Sequence, residues 1–128
     1  MKINYRMALI LLGGIALGGA AIQGLHAQAK PPAFYIAMND VTDPANYIKE
    51  FAAKSSAYAK SQGARFIVQG GTVTPLAGDA PKARIVIQQW DNMDKLLAWF
   101  KSAENTDYQK TAAKYATVHS FAVEGLAQ

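Results

Sequence analysis

Apolar side chains recur along residues 33–126 in two rhythms, period two and period three to four, and the switches between them predict the order βαββαβ. Phe34-Tyr35-Ile36-Ala37-Met38 is rich in aromatic and branched residues and predicts a first strand over 34–38, after the stiff leader Lys30-Pro31-Pro32. Asp43-Pro44 predicts a helix start, with Asp43 as cap and Pro44 at the first helical position, where a missing N–H costs nothing. Ile48, Phe51, Ala52, Ser55 and Ala59 then recur at helical spacing, flanked by Tyr47 and Tyr58, and Gly63 ends the run.

A second strand is predicted over 65–69, with a bulge or turn at Gly70-Gly71 and a resumption over Thr72-Val73-Thr74. Gly78 and Pro81 make 76–82 a loop, and 84–90 reads as the third strand. Asn92 caps a second helix, in which Met93, Leu96, Leu97 and Phe100 fit the i, i+3, i+4, i+7 template. A further helix over 104–116 places Tyr108, Ala112 and Tyr115 on one side, and 118–124 is the last strand.

Successive strand residues point to opposite faces, and here neither face turns polar. Phe34, Ile36 and Met38 oppose Tyr35 and Ala37; Ile85 and Ile87 oppose Val86 and Trp90; Val118 and Ala122 oppose Phe121 and Val123. The connecting helices of a βαββαβ chain cover one face only. The other would expose more apolar surface than a monomer ordinarily carries. A second copy laid across it removes that surface, at about 1.5–3 kcal/mol per large side chain before association costs. The expected partner is therefore the chain itself, as a homodimer through the open sheet face.

The N-terminus has a different character. Lys2 and Arg6 precede an uncharged run over 7–22, and Ala27-Gln28-Ala29 follows. A basic start, an apolar centre and an A-x-A ending describe a secretory signal peptide, cut after Ala29 or alternatively after Ala27. The run is shorter than the about 20 apolar residues that span a bilayer, and Gly13, Gly14, Gly18 and Gly19 weaken it as a helix. The expected organisation is a leader over 1–29 and one domain over 30–128, periplasmic or secreted and free of the membrane after cleavage. Loss of Lys2 and Arg6 lowers the net charge from +4 to +2. The remaining lysines are scattered, which argues against nucleic acid as a partner.

Composition narrows the chemistry further. The chain has no Cys, excluding disulfides, thiolate metal sites and a Cys nucleophile. Of its two His, one departs with the leader, and the remaining imidazole supplies one of the three or four ligands a metal centre needs, which argues against a metal site. No G-x-S-x-G elbow is present, and no P-loop follows the leader. His119 is left as the one candidate general base. Arg65 has the planar fork that clamps a carboxylate, and Asp79, in a Gly-rich loop, is placed to close over a cleft. Tyr35, Trp90 and Tyr108 are candidates for an aromatic ligand pocket between sheet and helices, with Tyr58 nearby in sequence pattern. Each has a plainer reading: His119 as a structural strand residue, Arg65 in a surface ion pair, Asp79 as a turn former, the aromatics as core.

Thr42-Asp43-Pro44 with Tyr47, Gly63-Ala64-Arg65-Phe66 with Gly70-Gly71, the Gly78-Asp79-Ala80-Pro81-Lys82 loop, Trp90-Asp91-Asn92-Met93 and the ending Phe121-Ala122-Val123-Glu124-Gly125-Leu126 together resemble domain-of-unknown-function family 1330. The likeness runs from about Ala33 to Leu126. It implies an α+β, ferredoxin-like domain that pairs through its sheet into a dimeric α/β barrel. Related barrels include cofactor-free monooxygenases and small-molecule isomerases. The chain departs from the family pattern at Ala64, Met38 and His119, where Gly, an acid and Arg are frequent.

The resulting expectation is an exported homodimer that binds a small organic or aromatic molecule in a sheet/helix cleft, with no cofactor and no metal. The alternative is a cofactor-independent monooxygenase or isomerase, with His119 as base and Arg65 orienting the substrate.

Overall fold

The computed structural model describes residues 29–128; the expected leader falls on 1–28 and so lies outside the described residues, apart from Ala29. The folded unit is Pro31–Gln128. Its four strands are β1 (Ala33–Val41), β2 (Arg65–Gln69), β3 (Arg84–Trp90) and β4 (Ala116–Glu124). They form one antiparallel sheet in the order β2-β3-β1-β4. Helix α1 runs over 44–62 in three segments, Pro44–Asn46, Tyr47–Ala52 and Ala53–Gln62; α2 is Met93–Phe100 and α3 is Ala103–Ala112. This is the expected ferredoxin-like α+β arrangement.

Local chemistry sets the helix ends. The Asp43 carboxylate accepts from the Asn46 amide at 3.2 Å, and the Asn92 side chain accepts from the Lys95 amide at 3.0 Å, each satisfying a donor the helix cannot. Gly63 ends α1 at φ +116°, a left-handed conformation that glycine alone adopts cheaply. Its N–H donates back to the carbonyls of Ala59 and Lys60.

Four expectations change. The middle segment of α1 is a π-helix, in which the Ala53 N–H reaches Ile48, five residues back. This wide turn shifts the phase of the helix, so Tyr47 is buried and Ile48 is 53% exposed. In α2 the inward position belongs to Trp99 rather than Phe100, which lies at the margin. The last helix stops at Ala112, and β4 begins two residues before the predicted start. Thr72-Val73-Thr74 is exposed loop, not strand, because the left-handed Gly70 has already turned the chain; the bulge in β2 falls earlier, between Phe66 and Val68.

Strand register fixes what each face carries. Ala33, Tyr35, Ala37 and Asn39 of β1 are buried beneath the helices, beside Trp90, Gln88, Val86 and Arg84 of β3. On the opposite face one row crosses all four strands as Val68, Ile87, Ile36 and Phe121. Phe34 with Val123 and Met38 with Ile85 flank that row. No helix covers this side within the described residues, and Phe121 is 51% exposed.

Under the helices the core forms two groups. One gathers Tyr35, Trp90, Leu96 and Trp99; the other gathers Tyr47, Phe51, Ala112 and Ala116. Between them, small side chains such as Ala37 and Ala52 leave space.

Candidate functional site

That space is a narrow cleft, partly open to solvent, with a cavity volume of about 40 Å3. The middle of β1 supplies its floor through Tyr35, Ala37 and Asn39, joined by Arg84, Val86 and Gln88 of β3. The π segment of α1 presents Tyr47 and Phe51 from above, α2 presents Trp99, and α3 presents Asn105. Tyr47 and Phe51, four residues apart, share the inward face of this segment, their rings 5.2 Å apart.

The polar groups of the cleft are only half satisfied. Asn39 donates from Nδ2 to the Tyr47 hydroxyl at 2.7 Å, leaving its Oδ1 without a partner. Asn105 donates from Nδ2 to the Phe100 carbonyl at 3.0 Å and likewise leaves Oδ1 open. The Trp99 indole N–H and the Arg84 Nε–H find no acceptor. These four are the buried side-chain polar atoms without a partner among the described residues, and all four belong to residues lining this one cleft. An unpaired buried polar group ordinarily costs about 1–3 kcal/mol, and here four such atoms belong to residues lining a single cleft.

The electrostatics are equally one-sided. Among the described lining residues Arg84 carries the single formal charge, with no carboxylate, imidazole or amine beside it. Its guanidinium lies 5.9 Å from the centre of the Tyr47 ring. Burial pushes the Tyr47 phenol above the ordinary tyrosine value, although the bond from Asn39 and the Arg84 charge pull the other way. Burial raises Tyr35 too, against a hydrogen bond with Ser120. Both phenols therefore stay protonated at neutral pH and act as neutral hydrogen-bonding groups.

The residues singled out from sequence separate onto different surfaces. Tyr35 lines the cleft. Trp90 is buried in the core and does not line the cleft, donating from Nε1 to the Gln88 side chain at 3.0 Å. Tyr108 packs on Tyr58, ring centres 5.9 Å apart, and its hydroxyl donates to Glu104. Arg65 is exposed on the open sheet face, bonded to Gln89. His119 is exposed on that same face, opposite Met38. Asp79 stands in an exposed loop. His119, Arg65 and Asp79 do not meet at the cleft. Asn39, Tyr47, Arg84, Trp99 and Asn105 escaped sequence reasoning; Asn39 and Arg84 were detectable as polar residues sharing strand parity with the core aromatics Tyr35 and Trp90.

A family described as "Domain of unknown function (DUF1330)" matches residues 32–126. The chain belongs to this family. Members of DUF1330 carry no assigned activity in that description, so the cleft has to be read on its own chemistry. No curated protein matches the chain. Among solved structures it is similar to a conserved protein of unknown function from Bacteroides thetaiotaomicron, described as a possible oxidoreductase, with 17% identity and a TM-score of 0.58 over 76% of this chain and 100% of that one. It is also similar to a methylated protein from Rhodopseudomonas palustris, with 11% identity and a TM-score of 0.58 over 84% of this chain and 91% of that one. At such identities the likeness supports the fold alone. No group of His, Asp or Glu suited to a metal ion occurs among the described residues, and none of their helices is long and apolar enough to cross a membrane.

Proposed function

We propose that this DUF1330 protein is an exported homodimer whose subunits each hold a small organic molecule in the cleft between helices and sheet. The observation that carries the reading is the convergence of four unpartnered buried polar atoms, on Asn39, Arg84, Trp99 and Asn105, upon one cavity. Two are donors and two are acceptors, so a molecule with both kinds of group restores what folding removed from water. Tyr35, Phe51 and Trp99 supply apolar wall for the remainder. Binding without turnover fits better than catalysis: the described lining offers no carboxylate or imidazole to move a proton, and its phenols are held protonated.

Two further features support the assembly and the compartment. The four-strand row on the uncovered face is wholly apolar, as a surface shared between two copies would be. The basic, apolar and A-x-A succession over 1–29 supports export.

Native mass spectrometry of protein expressed with its leader and purified from its own compartment tests the binding. The wild type is expected to carry a non-covalent adduct. Ala37→Leu, which drives an isobutyl group into the cleft floor where Ala37 is buried, is expected to lose it while remaining folded. A bare wild-type protein, or an adduct indifferent to Ala37→Leu, would refute the reading.

A further inference from the structure

We infer that the cleft's ligand is a small organic acid whose carboxylate pairs with Arg84; the inference deepens the binding reading above and rests on it. The first ground is charge. Arg84 forms no ion pair with a carboxylate among the described residues, its guanidinium meeting the Tyr47 phenol instead. Its Nε is nevertheless buried. A guanidinium partly withdrawn from water and left unneutralised is costly, and a bound anion removes the cost. Arginine is also the side chain suited to this task, since its fork matches a carboxylate with two parallel hydrogen bonds.

The second ground is position. A second, outer hollow opens beside Val41, Pro44, Ile48 and Gly71, and the residues it shares with the inner cleft are Tyr47 and Arg84. Arg84 thus stands where the two spaces join. Its guanidinium lies across Gly70, at φ +73°, where a Cβ would overlap Nη1 and force the side chain aside. The glycine therefore leaves room for the arginine at the junction. Beyond it wait the Trp99 N–H, another donor suited to an acid's oxygens, and the Asn39 and Asn105 carbonyl oxygens, suited to a hydroxyl. A cation or a neutral hydrocarbon uses none of the two donors. An acid that also bears a hydroxyl uses donors and acceptors alike.

Isothermal titration of the dimer with matched acid and amide pairs, lactate against lactamide and salicylate against salicylamide, tests the inference, with sulfate as a bare anion. At least one acid is expected to bind about 10- to 100-fold tighter than its amide. Arg84→Gln is expected to erase that ratio while barely altering the amide. Should Arg84→Gln fail to fold, the wild-type ratio carries the test alone. Acid and amide binding alike would overturn the acid while sparing the small-molecule reading. Sulfate binding as tightly as every acid would overturn the organic character of the ligand. Binding of none of the probes to a protein that also arrives bare from its host would overturn both.

Discussion

Ile36→Asp is expected to convert a dimer into a monomer. Ile36 stands at the centre of the uncovered face, with Ile87 on one side and Phe121 on the other in the same cross-strand row. Four large apolar side chains in that row, at about 1.5–3 kcal/mol each when buried, supply on the order of 10 kcal/mol before association costs. A carboxylate there loses its hydration against an apolar partner surface and meets its own copy's charge near the interface centre. Association is expected to weaken by at least about 100-fold, near 3 kcal/mol. The fold itself is expected to survive, because Ile36 points away from the helices. Light scattering at micromolar concentration with circular dichroism reads both quantities. A wild type already monomeric and soluble would contradict the assembly.

Trp99→Ala is expected to cost about 3–5 kcal/mol of stability, a large share of the about 5–15 kcal/mol that holds a domain together. Trp99 is 4% exposed. Its ring meets Tyr35 edge-on at 5.1 Å and lies 5.1 Å from Trp90, so truncation opens a cavity on two sides at once. No hydrogen bond is lost with the ring, since the indole N–H has no partner, and removing that unpaired donor offsets part of the packing loss. Trp99→Phe keeps most of the packing and is expected to cost less than about 2 kcal/mol. Urea denaturation measures both variants; a loss under about 1.5 kcal/mol in Trp99→Ala would mean the ring is not the packed wall described.

The fold was legible because its signals are local. Asp43, Asn92 and Gly63 mark helix ends through chemistry confined to a few neighbouring residues, and strand alternation is visible in any five consecutive side chains. The π turn was not legible: Tyr47 and Ile48 are both apolar, and which one faces inward depends on the sheet beneath. The cleft was hidden for a related reason. Its defining property is that certain polar atoms lack partners, and partnership is settled by groups distant in sequence, as when Asn39 finds Tyr47 and Asn105 finds Phe100. His119 and Arg65 attracted notice by residue type, which says nothing about the face a strand residue takes. Register places both on the uncovered side, whereas the less conspicuous Arg84 and Asn39 point beneath the helices.

The chain's two tryptophans allow the cleft to be watched directly. The Trp90 indole N–H is already engaged by Gln88, whereas that of Trp99, a residue lining the cleft, has no partner. In nitrogen-15 spectra of the labelled protein titrated with salicylate and lactate, the Trp99 indole resonance is expected to move downfield and saturate while that of Trp90 shifts little. A Trp99 resonance unmoved by an acid that calorimetry shows to be bound would contradict the assignment of the cleft as the binding site.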